Sequence, residues 1–170
     1  IIEKLIFRHP HIYGDVSVSD ADEVKKNWEA LKLSEGKESV LEGVPKGLPA
    51  LIKAQRMQEK AAGVGFDWNT KDQVWSKFEE ELGELDEALL KDDTEAIEAE
   101  FGDVLFSLIN VSRFIKVNPE NALERTNRKF IERFQLMEEL ISAESKDLSE
   151  MNLTEMDVYW EKAKAQLKKT

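Results

Sequence analysis

Four carboxylates near the middle of the chain have the types and spacing of a metal site. Glu81 and Glu84 lie in KFEEELGELDEALL, and Glu100 and Asp103 in EAEFGDVLF. Each pair is spaced i,i+3, which places its two members on the same face of a helix. Only Lys91-Asp92-Asp93 separates the two helical patterns, a connection short enough to force an antiparallel hairpin. Counted from Asp92, Glu84 stands eight residues before and Glu100 eight after, while Glu81 and Asp103 are each eleven away. At ~1.5 Å of rise per residue, this predicts two level rungs of carboxylates across the hairpin. Four converging oxygen donors suit a hard divalent cation.

A glutamate on a helix usually faces solvent, so the surroundings of these acids decide their reading. Val74, Phe78, Leu85 and Ala88 form an apolar stripe at 4-3-4-3 spacing, and its missing member is Glu81. Asp103 sits inside FGDVLFSLI, the most hydrophobic stretch, so its helix is predicted to be the buried one. Along that helix a line of Ala96, Glu100, Asp103, Ser107 and Asn110 runs beside the apolar line Ile97, Phe101, Val104, Leu108 and Val111. Gly102, which costs ~1 kcal/mol in mid-helix, predicts a close approach at the same level. Buried carboxylates are paired or metal-bound, and several together repel one another without a cation. The competing reading is a structural ion network. A di-iron bundle would want Glu-x-x-His, but the only histidines are His9 and His11, outside the bundle. An all-carboxylate set favours Mg²⁺, with Mn²⁺ as a substitute. Mg²⁺ typically completes its shell with water and substrate phosphates.

Phosphate binding also needs cations. Lys129 and Arg133 stand one turn apart, flanked by Phe130 and Phe134; the plain alternative is a solvated basic edge. Trp160 and Trp68 have the ring to stack on a base, although a lone tryptophan is more often core. GVGFDW lacks the Lys-Ser/Thr of a phosphate-binding P-loop. No Ser/His/Asp arrangement is available within the bundle, which leaves catalysis to metal and water.

The elements that must hold these residues are helical. Hydrophobic residues make up 41% of the 170, with 8 Gly and 4 Pro, and Glu, Lys, Leu and Ala are abundant. The expected fold is all-α: a four-helix-bundle-like domain with an additional C-terminal helix. Expected helices run from about 49 to 62, 70 to 91, Asp92-x-x-Glu95 to about 117, 119 to about 142, and from a Thr154-x-x-Asp157 cap to near 169. Residues 1–10 read as the tail of a preceding domain, with a helix stopped at His9-Pro10. Residues 11–47 read as an interdomain linker with a short helix from Ser19 or Asp20 to Leu33, and residues 48–170 as the functional domain. KLIFR at 4–8 echoes KFIER at 129–133, as expected if a copy of the domain came before. The net charge of −11, from 24 basic and 35 acidic residues, argues against general nucleic-acid and anionic-membrane binding. Without cysteine there are no disulfides, thiolate zinc sites or cysteine nucleophiles. No apolar run approaches the ~20 residues of a membrane span, no signal peptide is visible, and the default expectation is a cytoplasmic protein.

Glu80-Glu81-x-x-Glu84 followed by Glu100-x-x-Asp103 resembles the E-E-x-x-E … E-x-x-D signature of MazG-type nucleoside triphosphate pyrophosphohydrolases. GLPALIKAQRMQEKAAGVGFDW before it and NRKFIERF after it resemble the C-terminal domain of two-domain bacterial members, over residues 44–169. FRHPHIYGDV resembles their interdomain segment. The resemblance implies an all-α, usually dimeric enzyme that hydrolyses nucleoside triphosphates to monophosphate and pyrophosphate with Mg²⁺. It implies Glu81, Glu84, Glu100 and Asp103 as metal ligands and Glu80 as the group that positions or deprotonates the attacking water. It also implies Lys129 and Arg133 on phosphates and Trp160 closing the pocket. Two other readings remain: a helical interaction module with a structural acidic network, and a nucleotide-binding domain without catalysis. The intact signature disfavours both.

Overall fold

The structure is a computed structural model that describes Ile2, Ile6, residues 10–14 and residues 39–168. All its regular elements are helical. After a helical turn at Pro10–Tyr13 and a 3₁₀ turn, η1 (Val40–Gly43), come α1 (Ala50–Gly63), α2 (Lys71–Lys91), α3 (Thr94–Phe114) and α4 (Pro119–Ala143). A second 3₁₀ turn, η2 (Leu148–Glu150), precedes α5 (Leu153–Leu167). The all-α expectation holds. Apart from Ile2 and Ile6, the expected tail helix before His9-Pro10, the 4–8 echo and the helix from Ser19 or Asp20 to Leu33 lie outside the described residues. The chain divides into two compact units, Ile1–Asn118 and Pro119–Thr170.

In the first unit, α2 and α3 pack along each other and α1 packs on α3. Thr70 caps α2 in a reciprocal box with Gln73, each side chain taking the other residue's backbone N–H. The turn into α3 differs from the expected one. Asp92 is the left-handed C-cap of α2, at φ 53° and ψ 34°, and Asp93 is the N-cap, its carboxylate accepting from the N–H groups of Glu95 and Ala96. Asp93 suits the N-cap because its short side chain accepts locally, and aspartate is among the few non-glycine residues that enter the left-handed region of Asp92 readily. The end of α1 also shifts: Gly63 is its last residue, and Gly65 takes the left-handed conformation at φ +91°. Gln58 of α1 is buried and donates from Nε2 to the Phe106 carbonyl at 2.8 Å, tying α1 to α3.

Helix α3 is not the enclosed helix its composition predicts. Val104, Ser107, Ile109, Val111 and Ser112 are buried, but Phe101, Leu105, Phe106 and Leu108 are exposed by 41–54%. Its buried face is narrow and accepts two serines because each hydroxyl donates to a carbonyl of its own helix: Ser107 to Val104 at 2.9 Å and Ser112 to Ile109 at 2.7 Å. Asp103 is correspondingly exposed. Among the described residues, no atom outside its own stretch of helix backbone lies within 4 Å of where a Cβ would stand at Gly102, so they do not supply the close approach predicted there.

The second unit is the pair α4 and α5. Met137, Ile141, Tyr159 and Ala163 form its core, with Phe134, Leu136, Leu140, Leu148, Met151 and Trp160 packed around them. The cap of α5 is Asn152 in a box with Glu155, two residues earlier than Thr154-x-x-Asp157 suggests. Ahead of it, Tyr159 donates to Glu144, and Lys146 donates to the Tyr159 hydroxyl at 2.7 Å and to Glu144 at 2.9 Å. This buried phenol fixes the α4–α5 connection.

Candidate metal centre

The hairpin of α2 and α3 brings three of the four expected carboxylates together. One oxygen each from Glu81, Glu84 and Glu100 lies within 4.8 Å of the others. Glu81 takes its place in the buried stripe with Val74 and Ala88, at seven-residue intervals, and is only 8% exposed. Glu100 is half-buried and Glu84 exposed, so the group is sheltered at one end and open at the other. Asp103, one turn beyond Glu100 on α3, is exposed and lies outside this three-residue group.

The electrostatics are those of a site with too much negative charge. The Glu84 carboxyl is held above its ordinary pKa, first by loss of hydration and then by the charge of Glu81; Glu100 and Glu80 add to this and Lys77 opposes it. Lys77 is the cation that offsets the cluster. Its Nζ lies 2.8 Å from Glu80 and 2.8 Å from Glu81. The Glu80 bond, then the Glu81 bond, raises its proton affinity above that of an ordinary lysine, against some desolvation. Three acidic oxygens, one of them buried, form a set that fits a hard divalent cation. The expected readings did not include Lys77, although its i,i+3 and i,i+4 spacing to Glu80 and Glu81 is a legible pairing signal.

The α1–α2 loop carries Trp68 and is fixed from α3. Arg113 NH1 donates to Asp67 Oδ2 at 2.8 Å, and its NH2 pairs with the other oxygen of the same carboxylate. Asn110 Oδ1 accepts from Arg113 Nε at 3.1 Å and from NH2 at 2.8 Å. The guanidinium also lies 4.7 Å from the Phe114 ring centroid. Trp68 is exposed, and its backbone N–H donates to Asp67 Oδ1 at 2.9 Å. With the partners 46 positions apart in sequence, no local pattern reveals this clamp.

Lys129, Arg133 and Trp160 belong to the second unit. Lys129 is exposed, whereas Arg133 and Trp160 are half-buried. The Arg133 guanidinium lies 6.0 Å from the Trp160 ring centroid. Phe130 contacts Trp160 in a tilted pair with centroids 5.3 Å apart, and stacks on Phe134 at 5.9 Å.

Fold and site define an all-α protein with a carboxylate-lined candidate metal centre on a helical hairpin. Residues 69–136, which contain that hairpin, match the family of the MazG nucleotide pyrophosphohydrolase domain. Over 165 residues the chain is 48% identical to the nucleoside triphosphate pyrophosphohydrolase/pyrophosphatase MazG of Thermotoga maritima, covering 95% of this chain and 62% of that protein. It is 35% identical over 174 residues to the nucleoside triphosphate pyrophosphohydrolase of Escherichia coli K12, covering 98% of this chain and 65% of that protein. The uncharacterized protein YabN of Bacillus subtilis is 46% identical over 168 residues, and the chain spans 34% of its length. The family match falls on residues 69–136, and the chain spans less than two thirds of the length of these relatives.

Proposed function

We propose that this chain is a Mg²⁺-dependent nucleoside triphosphate pyrophosphohydrolase, converting an NTP or dNTP and water to the monophosphate and pyrophosphate. The observation that carries the reading is the convergence of Glu81, Glu84 and Glu100 to within 4.8 Å, on the segment that matches a nucleotide pyrophosphohydrolase family. Glu81, Glu84 and Glu100 would hold the ion, with Asp103 as a fourth ligand one turn along α3. Mn²⁺ would serve the same oxygen donors. Bound there, the ion supplies positive charge to the phosphate oxygens and to the leaving pyrophosphate. Glu80 lies beside Glu81 in sequence and is oriented by Lys77; its proposed role is to accept the proton of the attacking water. The new bond joins the water oxygen to the α-phosphorus, and the α–β bridging oxygen departs with pyrophosphate. Lys129 and Arg133 are assigned to phosphates, and Trp160 and Trp68 to the base. These roles rest on the family resemblance and on residue chemistry.

The wider assignments belong to the same reading. Residues 1–10 are the tail of a preceding domain, 11–47 a linker and 48–170 the catalytic region. The partner is a second copy of the chain. That is supported by the apolar side chains α3 leaves exposed at Phe101, Leu105 and Leu108, with Leu82 and Leu89 on α2. Sedimentation that shows only monomer at micromolar concentration would remove the second copy. No described helix is long and apolar enough to cross a membrane, and the net charge of −11 favours a cytoplasmic enzyme that binds neither nucleic acid nor membrane.

The test is product identity across a panel of NTPs and dNTPs with Mg²⁺. Monophosphate and pyrophosphate are expected. Orthophosphate and diphosphate would overturn the bond assignment, and absence of product with every nucleotide would overturn the hydrolase.

A further inference from the structure

We propose that Phe130 is the positioning residue for Trp160, holding the indole in place for a nucleobase. This rests on the proposed function, specifically on Trp160 as a base contact. Phe130 is 56% exposed and stands apart from the core, whereas its neighbour Phe134 packs against Met137, Ile141, Tyr159 and Ala163. At this exposure Phe130 adds little to the α4–α5 core beyond its contact with Trp160. Its two ring contacts nevertheless run in one direction: Phe134 backs it at 5.9 Å with planes only 22° apart, and it meets Trp160 at 5.3 Å with planes 47° apart. Centroids at 5.3 Å place the two rings in direct contact, so no base enters between them. Phe130 therefore acts on the base through Trp160.

Trp160 is fixed from two further directions. The preceding residue, Tyr159, is buried and pinned by Glu144 and Lys146, which sets the backbone of α5 at this point. Arg133, one turn from Phe130 on α4, places its guanidinium 6.0 Å from the indole centroid, at the outer limit of a cation–π contact. Backbone, cation and ring together leave the half-buried indole little rotational freedom. A platform already ordered before it stacks on a ligand avoids the entropy of ordering at binding. Removing Phe130 restores that freedom while leaving the phosphate-binding charges unchanged, which gives the inference a readout that packing alone would not produce.

The experiment compares Phe130→Ala, Phe130→Leu and Phe130→Tyr with the unsubstituted chain. It measures calorimetric binding of two ligands with Mg²⁺: a purine nucleoside triphosphate analogue with a methylene α–β bridge, and inorganic tripolyphosphate, which has no base. Loss of one tilted ring contact is expected to weaken the analogue about five-fold in Phe130→Ala and Phe130→Leu. Phe130→Tyr restores it, tripolyphosphate affinity stays the same, and helical circular dichroism is retained. Unchanged analogue affinity in Phe130→Ala overturns the inference, as does equal weakening of both ligands or rescue by leucine. Pyrophosphate release by the unsubstituted chain is measured alongside. If that release is present and the analogue comparison fails, the positioning role falls and the hydrolase stands. If the analogue binds and responds to Phe130 without release, the hydrolase falls and the positioning role stands. No analogue binding by the unsubstituted chain overturns both.

Discussion

Replacing Glu81 by glutamine separates a metal site from a structural acidic network, because the two readings predict opposite thermal behaviour. Glu81 is 8% exposed and within 4.8 Å of the Glu84 and Glu100 oxygens. Glutamine keeps its shape and one acceptor oxygen, exchanges the other for a donor NH2, and removes one charge from a group whose lost hydration and mutual repulsion lift the Glu84 pKa. Lys77 retains Glu80 as a partner at 2.8 Å. With chelator present, the variant is therefore expected to melt at or slightly above the temperature of the unsubstituted chain.

Magnesium should reverse the order. An ion that binds only the folded state stabilises it by RT ln(1 + [L]/Kd), about 2.7 kcal/mol at a hundred times Kd. For a chain of 170 residues that corresponds to a rise of about 8 °C. Losing even an outer-shell partner of a metal ligand typically weakens binding by about 10–100-fold, so losing the buried ligand should cost at least the upper figure. At the same Mg²⁺ concentration the stabilisation then falls to about 0.4 kcal/mol, a rise of about 1 °C. The assay is helical circular dichroism against temperature, in chelator and in Mg²⁺, for both proteins. A Mg²⁺-dependent rise that survives intact in Glu81→Gln would refute the reasoning, and so would its absence from the unsubstituted chain.

Lys77→Met removes the cation that offsets the acids, so its melting temperature in chelator should fall and its Mg²⁺-dependent rise should grow; an unchanged rise would dismiss Lys77 as a counter-ion. The Asp67–Arg113 pair, with side chains 27% and 19% exposed, should show a coupling of about 1–2 kcal/mol, since charge-assisted bonds are strong and this one is partly solvated. A urea-unfolding cycle of Asp67→Asn, Arg113→Ala and the double variant measures it, and additivity within ~0.3 kcal/mol would show that the clamp holds nothing. Glu144 has its pKa lowered from 4.5 to about 2, first by the Tyr159 hydroxyl and then by Lys146. Folding therefore favours its ionised form, and its contribution is complete above pH 4.5 and lost as pH falls through about 2. Glu144→Gln should be less stable at neutral pH and flatter in that window; an unaltered acid limb in pH-dependent unfolding would contradict the assignment.

What the sequence could reveal about this molecule divides along the range of the forces involved. The long helices were legible because i,i+3 and i,i+4 patterns and local caps specify them, as Thr70 with Gln73 shows; the misplaced caps at Asp93 and Asn152 moved boundaries by only one or two residues. Glu81 was legible for the same reason, as an acid at a core position of a periodic stripe. The burial expected at Asp103 is not found, because composition records how apolar a helix is but not how many neighbours it has. Helix α3 packs on α1 and α2 along a narrow face and leaves Phe101, Leu105 and Leu108 in solvent. Counting from Asp92 treats the turn as a mirror, whereas Asp92 is the left-handed cap of α2 and Asp93 the separate N-cap of α3; of the four carboxylates so aligned, Glu81, Glu84 and Glu100 come within 4.8 Å of one another. The Asp67–Arg113 clamp was out of reach altogether, because contacts that close a 46-residue separation depend on the completed packing of α1, α2 and α3. The carboxylate chemistry is thus local and readable, whereas the burial that would raise its metal affinity comes from contacts no short motif encodes. Glu81, set in a periodic stripe and enclosed by tertiary packing, is where both conditions meet.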